Sequence, residues 1–301
     1  MIKPNIQRKF QVCRSHLLDF AHLSRLLCSI AEKNGAERVG RGELREATGL
    51  PDGQVESLIN IAVAMGLVER RIQTLTSIGR LIVKHDIFFD DRGTLEWCHY
   101  AGAGSYRNLF WFDAFNHLLV EEEPMTIEGW QKYFSRRLSG RYSDKSIKNQ
   151  VPKEVRFVIK AYLEGNFRKM ELLREAVDGR LYRRRYTEFD PRVFCATIYD
   201  FCATHDIRIP QVGEMAITPG SPAVLFGLDV ATFRQQVESL HDRGWLRYET
   251  THNLDQIRLK PGYSAIGCLA AHFEDREPQG NDSMDNIDDS HEKSPQGNLF
   301  E

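Results

Sequence analysis

One cadence recurs three times in this chain and constrains its fold more than any other feature. An apolar stripe at helical spacing meets a turn, a second stripe follows, and two short runs close around a further turn. In the first third, Leu17, Phe20, Leu23, Leu27 and Ile30 keep an i, i+3, i+4 rhythm, predicting one amphipathic helix over 6–34 that closes at Gly35. Residues 43–48 read as a short helix and Gly49 as a turn. Pro51 and Asp52 then open a second helix through Met65, with Val55, Leu58, Ile59, Ala62 and Met65 on its buried face. A strand over 66–69 and a returning strand or helix from Leu75 complete a winged-helix pattern.

The middle third repeats the plan. Thr126 opens a helix with Glu128 in its first turn, and Ser143 opens a second that carries Ile147, Val151, Val155, Val158 and Ile159 inward. Pro152 predicts a break or kink there, or a later start at Val151. Asp178-Gly179 marks a hairpin between 173–177 and 181–186. In the last third, Phe194, Ile198, Phe201 and Cys202 form a helical stripe and the chain breaks at 219–222. Asp229 or its neighbour caps a helix through His241, and strands follow over 245–250 and 255–260. The expected fold is mainly α with small β-hairpin wings, as tandem winged-helix or helix-turn-helix units. Their boundaries fall at 1–90, 91–189 and 190–275, with 276–301 as an acidic tail expected to be disordered.

A length of 301 residues allows two or three small cores, and 42% hydrophobic with 27% charged residues is ordinary for a soluble chain. No apolar run approaches the roughly twenty residues of a membrane span, and 1–10 lacks the apolar stretch of a secretory signal, so a cytoplasmic location is expected. The six cysteines stand singly, with no Cys-x-x-Cys pair. Cys195 and Cys202, seven apart on one helical face, read as core residues.

The formal net charge of -2 conceals a strong asymmetry. Between Gln131 and Arg185 sixteen basic residues face six acidic ones, with Tyr133, Phe134, Tyr142, Tyr162 and Tyr182 interleaved. A positive belt carrying aromatics is the footprint of a nucleic-acid surface, because neutralising phosphates releases condensed counterions; a solvated helical face is the plainer explanation. The duplex DNA contacts expected of it are Arg136, Arg137, Arg141, Lys145, Lys148, Arg183, Arg184 and Arg185, joined by Arg234, Arg258 and Lys260 from the third unit. The first unit is expected to pack or dimerise. Its second helix offers Gln54, Glu56, Ser57 and Asn60 with no basic residue among them, leaving Arg70 and Arg71 as its best phosphate contacts. The rings of Trp97, Tyr100, Tyr106, Phe110, Trp111, Phe112 and Phe115 read as a core or seam.

No motif for catalysis emerges. There is no His-Glu-x-x-His pair, phosphate loop or Gly-x-Ser-x-Gly elbow, so a non-enzymatic chain without cofactor or metal is expected. Cys98-His99, the Asp90-Asp91 turn and His252 with Asp255 are the nearest candidates, each explained as well by core or turn chemistry. The tail ends in Gln296, Leu299 and Phe300. That ending resembles the peptide by which many bacterial proteins dock on the replicative sliding clamp, so it is the candidate partner peptide.

The stretches 94–100 (TLEWCHY), 111–116 (WFDAFN), 220–222 (GSP) and 249–257 (ETTHNLDQI) together resemble a bacterial domain-of-unknown-function family. Its genes often lie beside sulfurtransferase genes of the PAPS-reductase type in DNA phosphorothioation and phage-defence clusters. The resemblance covers about residues 75–275, and the family's N-terminal Phe-x-x-His-Glu-Thr-Phe-like segment is not matched at 10–16. It implies a partner, a PAPS-reductase-like sulfurtransferase or another defence subunit, and no active site. The expectation is a DNA-binding accessory subunit of such a system. The alternatives are a scaffold docking a catalytic partner and a winged-helix transcriptional regulator.

Overall fold

A helix buried all round must find partners for every polar side chain it carries, and the architecture is built about such a helix. The computed structural model describes residues 8–14, 16–33, 39–71, 73–121, 123–250 and 254–280. Helix α5 (Arg92–Gly104), started by Asp91 accepting the Thr94 N–H, buries Leu95, Glu96, Trp97, Cys98, His99 and Tyr100 in succession. Beside it, α6 (Leu109–Asn116) is buried throughout. Of the dense aromatics, Trp97, Tyr100, Phe110, Trp111, Phe112 and Phe115 are therefore core, as their clustering suggested, while Tyr106 is only half-buried.

The N-terminal elements pack on one flank. They are α1 (Phe20–Ala31), α2 (Arg41–Thr48), α3 (Asp52–Ala64) and α4 (Ser77–His85). The turn at Gly49 is left-handed, with φ 68°, as the sequence indicated. The single helix expected over 6–34 is shorter. Asp19 caps α1 by accepting the His22 N–H, and the preceding segment runs irregularly across the molecule, pairing Lys9 with Asn108 and placing the Cys13 carbonyl on the Ser57 hydroxyl. Leu17 is exposed rather than in the stripe. Gly35 lies outside the described residues. After α3, among the described residues, a single bridge, Val68 to Leu75, stands where a wing was expected, and the chain returns as helix.

The middle unit comprises α7 (Ile127–Leu138), α8 (Asp144–Leu163) and the antiparallel pair β1 (Leu173–Glu175) and β2 (Leu181–Arg183), with Met125 bridging the outer edge of β2. Helix α8 passes through Pro152 without ending. The proline ring faces solvent while Val151, Val155 and Val158 are buried, so packing outweighs the roughly 3 kcal/mol a mid-helix proline costs. The third unit holds α9 (Pro191–His205), the short α10 (Val212–Met215) and α11 (Pro222–Leu225), α12 (Val230–Asp242) capped by Asp229, the pair β3 (Leu246–Glu249) and β4 (Gln256–Leu259), and α13 (Ala265–Phe273). The described residues are thus mainly helical with two small antiparallel hairpins, and one contiguous apolar cluster runs through all three parts of the chain. Cys195 and Cys202 are buried in it and free, as their spacing implied.

Two polar networks join the parts. In the first, His99 Nε2 lies 3.2 Å from the Leu225 carbonyl, which can only accept, so Nε2 carries the proton. His99 Nδ1 then accepts from the Tyr162 hydroxyl, whose oxygen in turn accepts the Trp111 Nε1–H at 2.8 Å. Burial pushes His99 down to about 3, so the ring is neutral and links α5, α6, α8 and α11. In the second, His272 on α13 lies between Asp91, at 2.9 Å from Nε2, and Asp190, at 3.0 Å from Nδ1. The Asp190 approach is an ion contact, not an aligned hydrogen bond. Burial opposes protonation of His272, but Asp190 and Asp91 outweigh it and raise the group to about 9. Gly93 is required beside this clamp, since a Cβ there would lie 2.6 Å from His272 Nε2.

Tyr162→Phe leaves the Trp111 N–H and His99 Nδ1 without their buried partner. It should cost about 1–3 kcal/mol in urea unfolding with the folded secondary structure retained. His272 gives a signed pH dependence. Its folded value exceeds the unfolded one, so its stabilisation is complete below about pH 6.5 and is lost as pH rises toward 9. Wild type should lose on the order of 2–3 kcal/mol more between pH 6 and 9.5 than His272→Gln does, read from denaturation midpoints.

Candidate nucleic-acid interface

Two guanidinium groups on one buried carboxylate form the floor of a cleft between the N-terminal and middle parts. Asp113, buried on α6, receives Arg8 through both nitrogens of its fork, at 2.7 and 3.1 Å, and Arg137 Nε at 2.9 Å. Arg8 also donates to the Tyr106 and Leu109 carbonyls and lies over the Tyr106 ring at 4.4 Å. Two cations on one anion leave the floor positive. His117 approaches the same carboxylate at 3.9 Å, and burial holds its imidazole below the usual range.

Above the floor the cleft, of about 850 Å³, takes side chains from six separate segments. Seven of its lining residues are basic: Arg8 and Lys9 from the N-terminal segment, Arg41 from α2, Arg70 after α3, Arg107 before α6, Arg137 from α7 and Arg141 from the turn before α8. Only Glu56 and Asp113 oppose them. Glu56 is itself paired with Arg14 at 2.8 Å and Arg41 at 3.1 Å, so its charge is neutralised. Lys9 donates to Asn60, and burial, then the nearby Arg70 charge, holds its ammonium below the usual lysine range. Phe10 stacks on Tyr142 at 4.3 Å along one wall. The exposed Arg70, Arg107 and Arg141 have no acidic partner at ion-pair distance among the described residues.

The outer face of α3 is not an open reading surface. Ser57 is buried against Cys13, Gln54 meets His22, Glu56 holds its two arginines and Asn60 holds Lys9. That face is basic because other segments lay their charges against it, and those segments keep it from entering a major groove.

The residues of the basic belt divide. Arg137 and Arg141 enter the cleft; Arg136, Lys145 and Lys148 are exposed on α7 and α8 nearby in the chain. Arg183 points inward, donating to the Phe115 and Val224 carbonyls and lying against Gly227. Arg184 bonds Glu188 and the Met170 and Glu171 carbonyls, and Arg185 pairs with Asp229. Arg234 holds Asp255 and Tyr248, Arg258 holds Glu249, and Lys260 is exposed at the end of β4. The belt of the sequence is therefore not one belt in space. Arg8, Lys9, Arg41 and Arg107, which sequence proximity could not connect, supply much of the cleft. The clamp-type ending at Gln296, Leu299 and Phe300 lies outside the described residues, as does His252.

Cys98 is fully buried and burial pushes its thiol far up, while His99 is held in its hydrogen-bond chain. Asp90 pairs with Lys169 and Asp91 with His272. Among the described residues no group of three or more His, Cys, Asp or Glu side chains is placed to hold a metal ion. No described helix is long and apolar enough to cross a membrane.

No family model matches the chain, and no curated protein matches it. Two solved structures share its fold. A magnesium ion-bound SspB crystal structure superposes with TM-score 0.70 at 15% identity, covering 91% of this chain and 89% of that one. A second SspB crystal structure gives TM-score 0.68 at 14% identity over the same shares. At such identity the likeness speaks for the fold alone.

Asp113→Asn would leave two forks on a neutral amide. Breaking a buried pair in this way should cost about 3–5 kcal/mol, read as a fall in thermal midpoint, with Arg8→Met/Asp113→Leu/Arg137→Met recovering part of the loss.

Proposed function

We propose that the chain is a DNA-binding component of a bacterial DNA-modification or phage-defence system, and that it holds DNA through the basic cleft. The observation that carries the proposal is the convergence of seven cationic side chains from six segments on a cleft with only two acids, both already paired. Buried neutral surfaces do not gather charge of one sign at such density; polyanion surfaces do, because phosphate contacts release counterions. Phosphates would be met at the mouth by Arg70, Arg107 and Arg141, and along the first turns of α8 by Lys145 and Lys148. The Asp113 floor would keep Arg8 and Arg137 oriented.

The systemic role, alongside a PAPS-reductase-like sulfurtransferase or another defence subunit, rests on the family resemblance of residues 75–275. The winged-helix description also belongs to this proposal. It is supported by α7, α8 and the β1–β2 hairpin with Met125 on its edge, and by α10 to α12 with β3–β4 and the Gln211–Gln256 bridge. Because α3 is covered, contact would be made with the backbone of DNA rather than by a helix laid in the major groove, giving affinity without strong sequence preference.

Duplex binding should therefore weaken steeply with salt. Arg70→Ala/Arg107→Ala/Arg141→Ala should lower affinity on the order of 10–100-fold and reduce the log–log salt slope by about 2–3, measured by fluorescence anisotropy across a salt series. Arg183→Ala should change the unfolding midpoint and leave the slope as it is. Binding of DNA with no salt dependence, or a triple variant indistinguishable from wild type, would overturn the cleft's role.

A further inference from the structure

We propose that the acidic C-terminal segment, residues 281–301, is an intramolecular occupant of the basic cleft and competes there with DNA. The proposal rests on the reading of the cleft as an anion site and adds its regulation.

Three observations lead to it. The first is where the described chain leaves the body. Gly280 packs against Pro261, Gly262 and Tyr263 so closely that a Cβ on Gly262 would overlap the Gly280 carbonyl, which fixes the exit at one place. The second is what lies beside that exit. Pro261, Gly262 and Tyr263 line a cavity of about 490 Å³, which shares Asp200, Ser264 and Ala265 with a second cavity of about 650 Å³. The second cavity shares Val63, Ala64 and Ser105 with the basic cleft. The three cavities therefore adjoin one another through shared walls, in order from the exit to the cationic site. The third is the match of the segment to those cavities. Beyond Gly280 come Met284 and Ile287, then Asp288, Asp289 and Glu292; Asp282, Asp285 and Glu301 add to the acids and Lys293 alone opposes them.

The order of chemistries agrees. The middle cavity has apolar walls in Ile78, Trp97, Ala101 and Ile266, with Glu69 and Asp200 also lining it, so an isoleucine or methionine side chain suits it better than the acids do. The acids that follow would reach Arg107 and Arg141. At about 3.3–3.6 Å per residue the segment from Gly280 to Glu292 extends roughly 40 Å, which covers a path shorter than the diameter of about 50 Å of a globular body of this length. A tethered ligand also acts at millimolar effective concentration, so carboxylates of modest affinity suffice to compete with phosphates.

The test uses the full chain carrying Asp282→Asn, Asp285→Asn, Asp288→Asn, Asp289→Asn and Glu292→Gln, with a fluorescently labelled peptide of residues 281–301 as probe. The peptide should bind this variant at low salt, bind wild type more weakly, and lose binding when Arg107→Glu/Arg141→Glu is added. Both arginines are exposed, so that last variant should fold. Duplex DNA should bind the tail variant roughly tenfold more tightly than wild type and displace the peptide. No peptide binding at low salt, or binding indifferent to the two glutamates, overturns the inference. Peptide binding in a protein that takes no duplex upholds the tail contact and overturns the DNA reading instead, which keeps the two failures apart.

Discussion

The hydrogen-bond chain from Trp111 through Tyr162 and His99 to the Leu225 carbonyl is the constraint on which the rest depends. A histidine and a tyrosine in an aromatic core are each unfavourable alone, because burial strips their water. Joined in one direction, with every donor meeting an acceptor, they tie four helices from two parts of the chain at a single orientation. Rings of Phe115, Phe226 and Phe167 close around them, excluding the water that would otherwise compete. The neutral state of His99 is a consequence of that enclosure. Protonation would put a second donor opposite the hydroxyl and a charge among phenylalanines.

That central joint fixes α6, and α6 carries the buried Asp113 to the floor of the cleft. The carboxylate then decides where Arg8 and Arg137 lie, and through Arg8 it draws the N-terminal segment across the molecule. One helix thus connects a core network to a surface cleft. Floor and rim differ: the inner arginines are paired and oriented, whereas Arg70, Arg107 and Arg141 at the rim have no acidic partner at ion-pair distance among the described residues. Many other cations are likewise satisfied within the protein. Arg183, Arg184, Arg234 and Arg258 are held by carbonyls or acids of the protein itself.

Local chemistry was readable where it acts over a few residues. Thr126, Ser143 and Asp229 cap the helices at whose starts they stand, Gly49 and Gly179 take the left-handed turns, and the two later hairpins fall where alternation and Asp-Gly or polar turns placed them. Pro152 was misleading for a stated reason: its local cost is exceeded by the burial of valines on either side, which only the packed structure supplies. The N-terminal helix was overextended because polar residues before Asp19 fit a helix face equally well until Asp113, Ser57 and Asn108 are brought near them.

The sequence by itself determined the helical class, the positions of turns and caps, the burial of the aromatic segment and the acidic character of the tail. These follow from backbone preference and from hydrophobicity, which are properties of residues and near neighbours. Only the tertiary structure decided which charges face solvent and which are paired. Coulomb and hydrogen-bond energies depend on distance in space, and Arg8 and Asp113 are 105 residues apart in the chain yet within 2.7 Å. A count of basic residues along a stretch cannot contain that information, and so the cationic site formed where six remote segments meet.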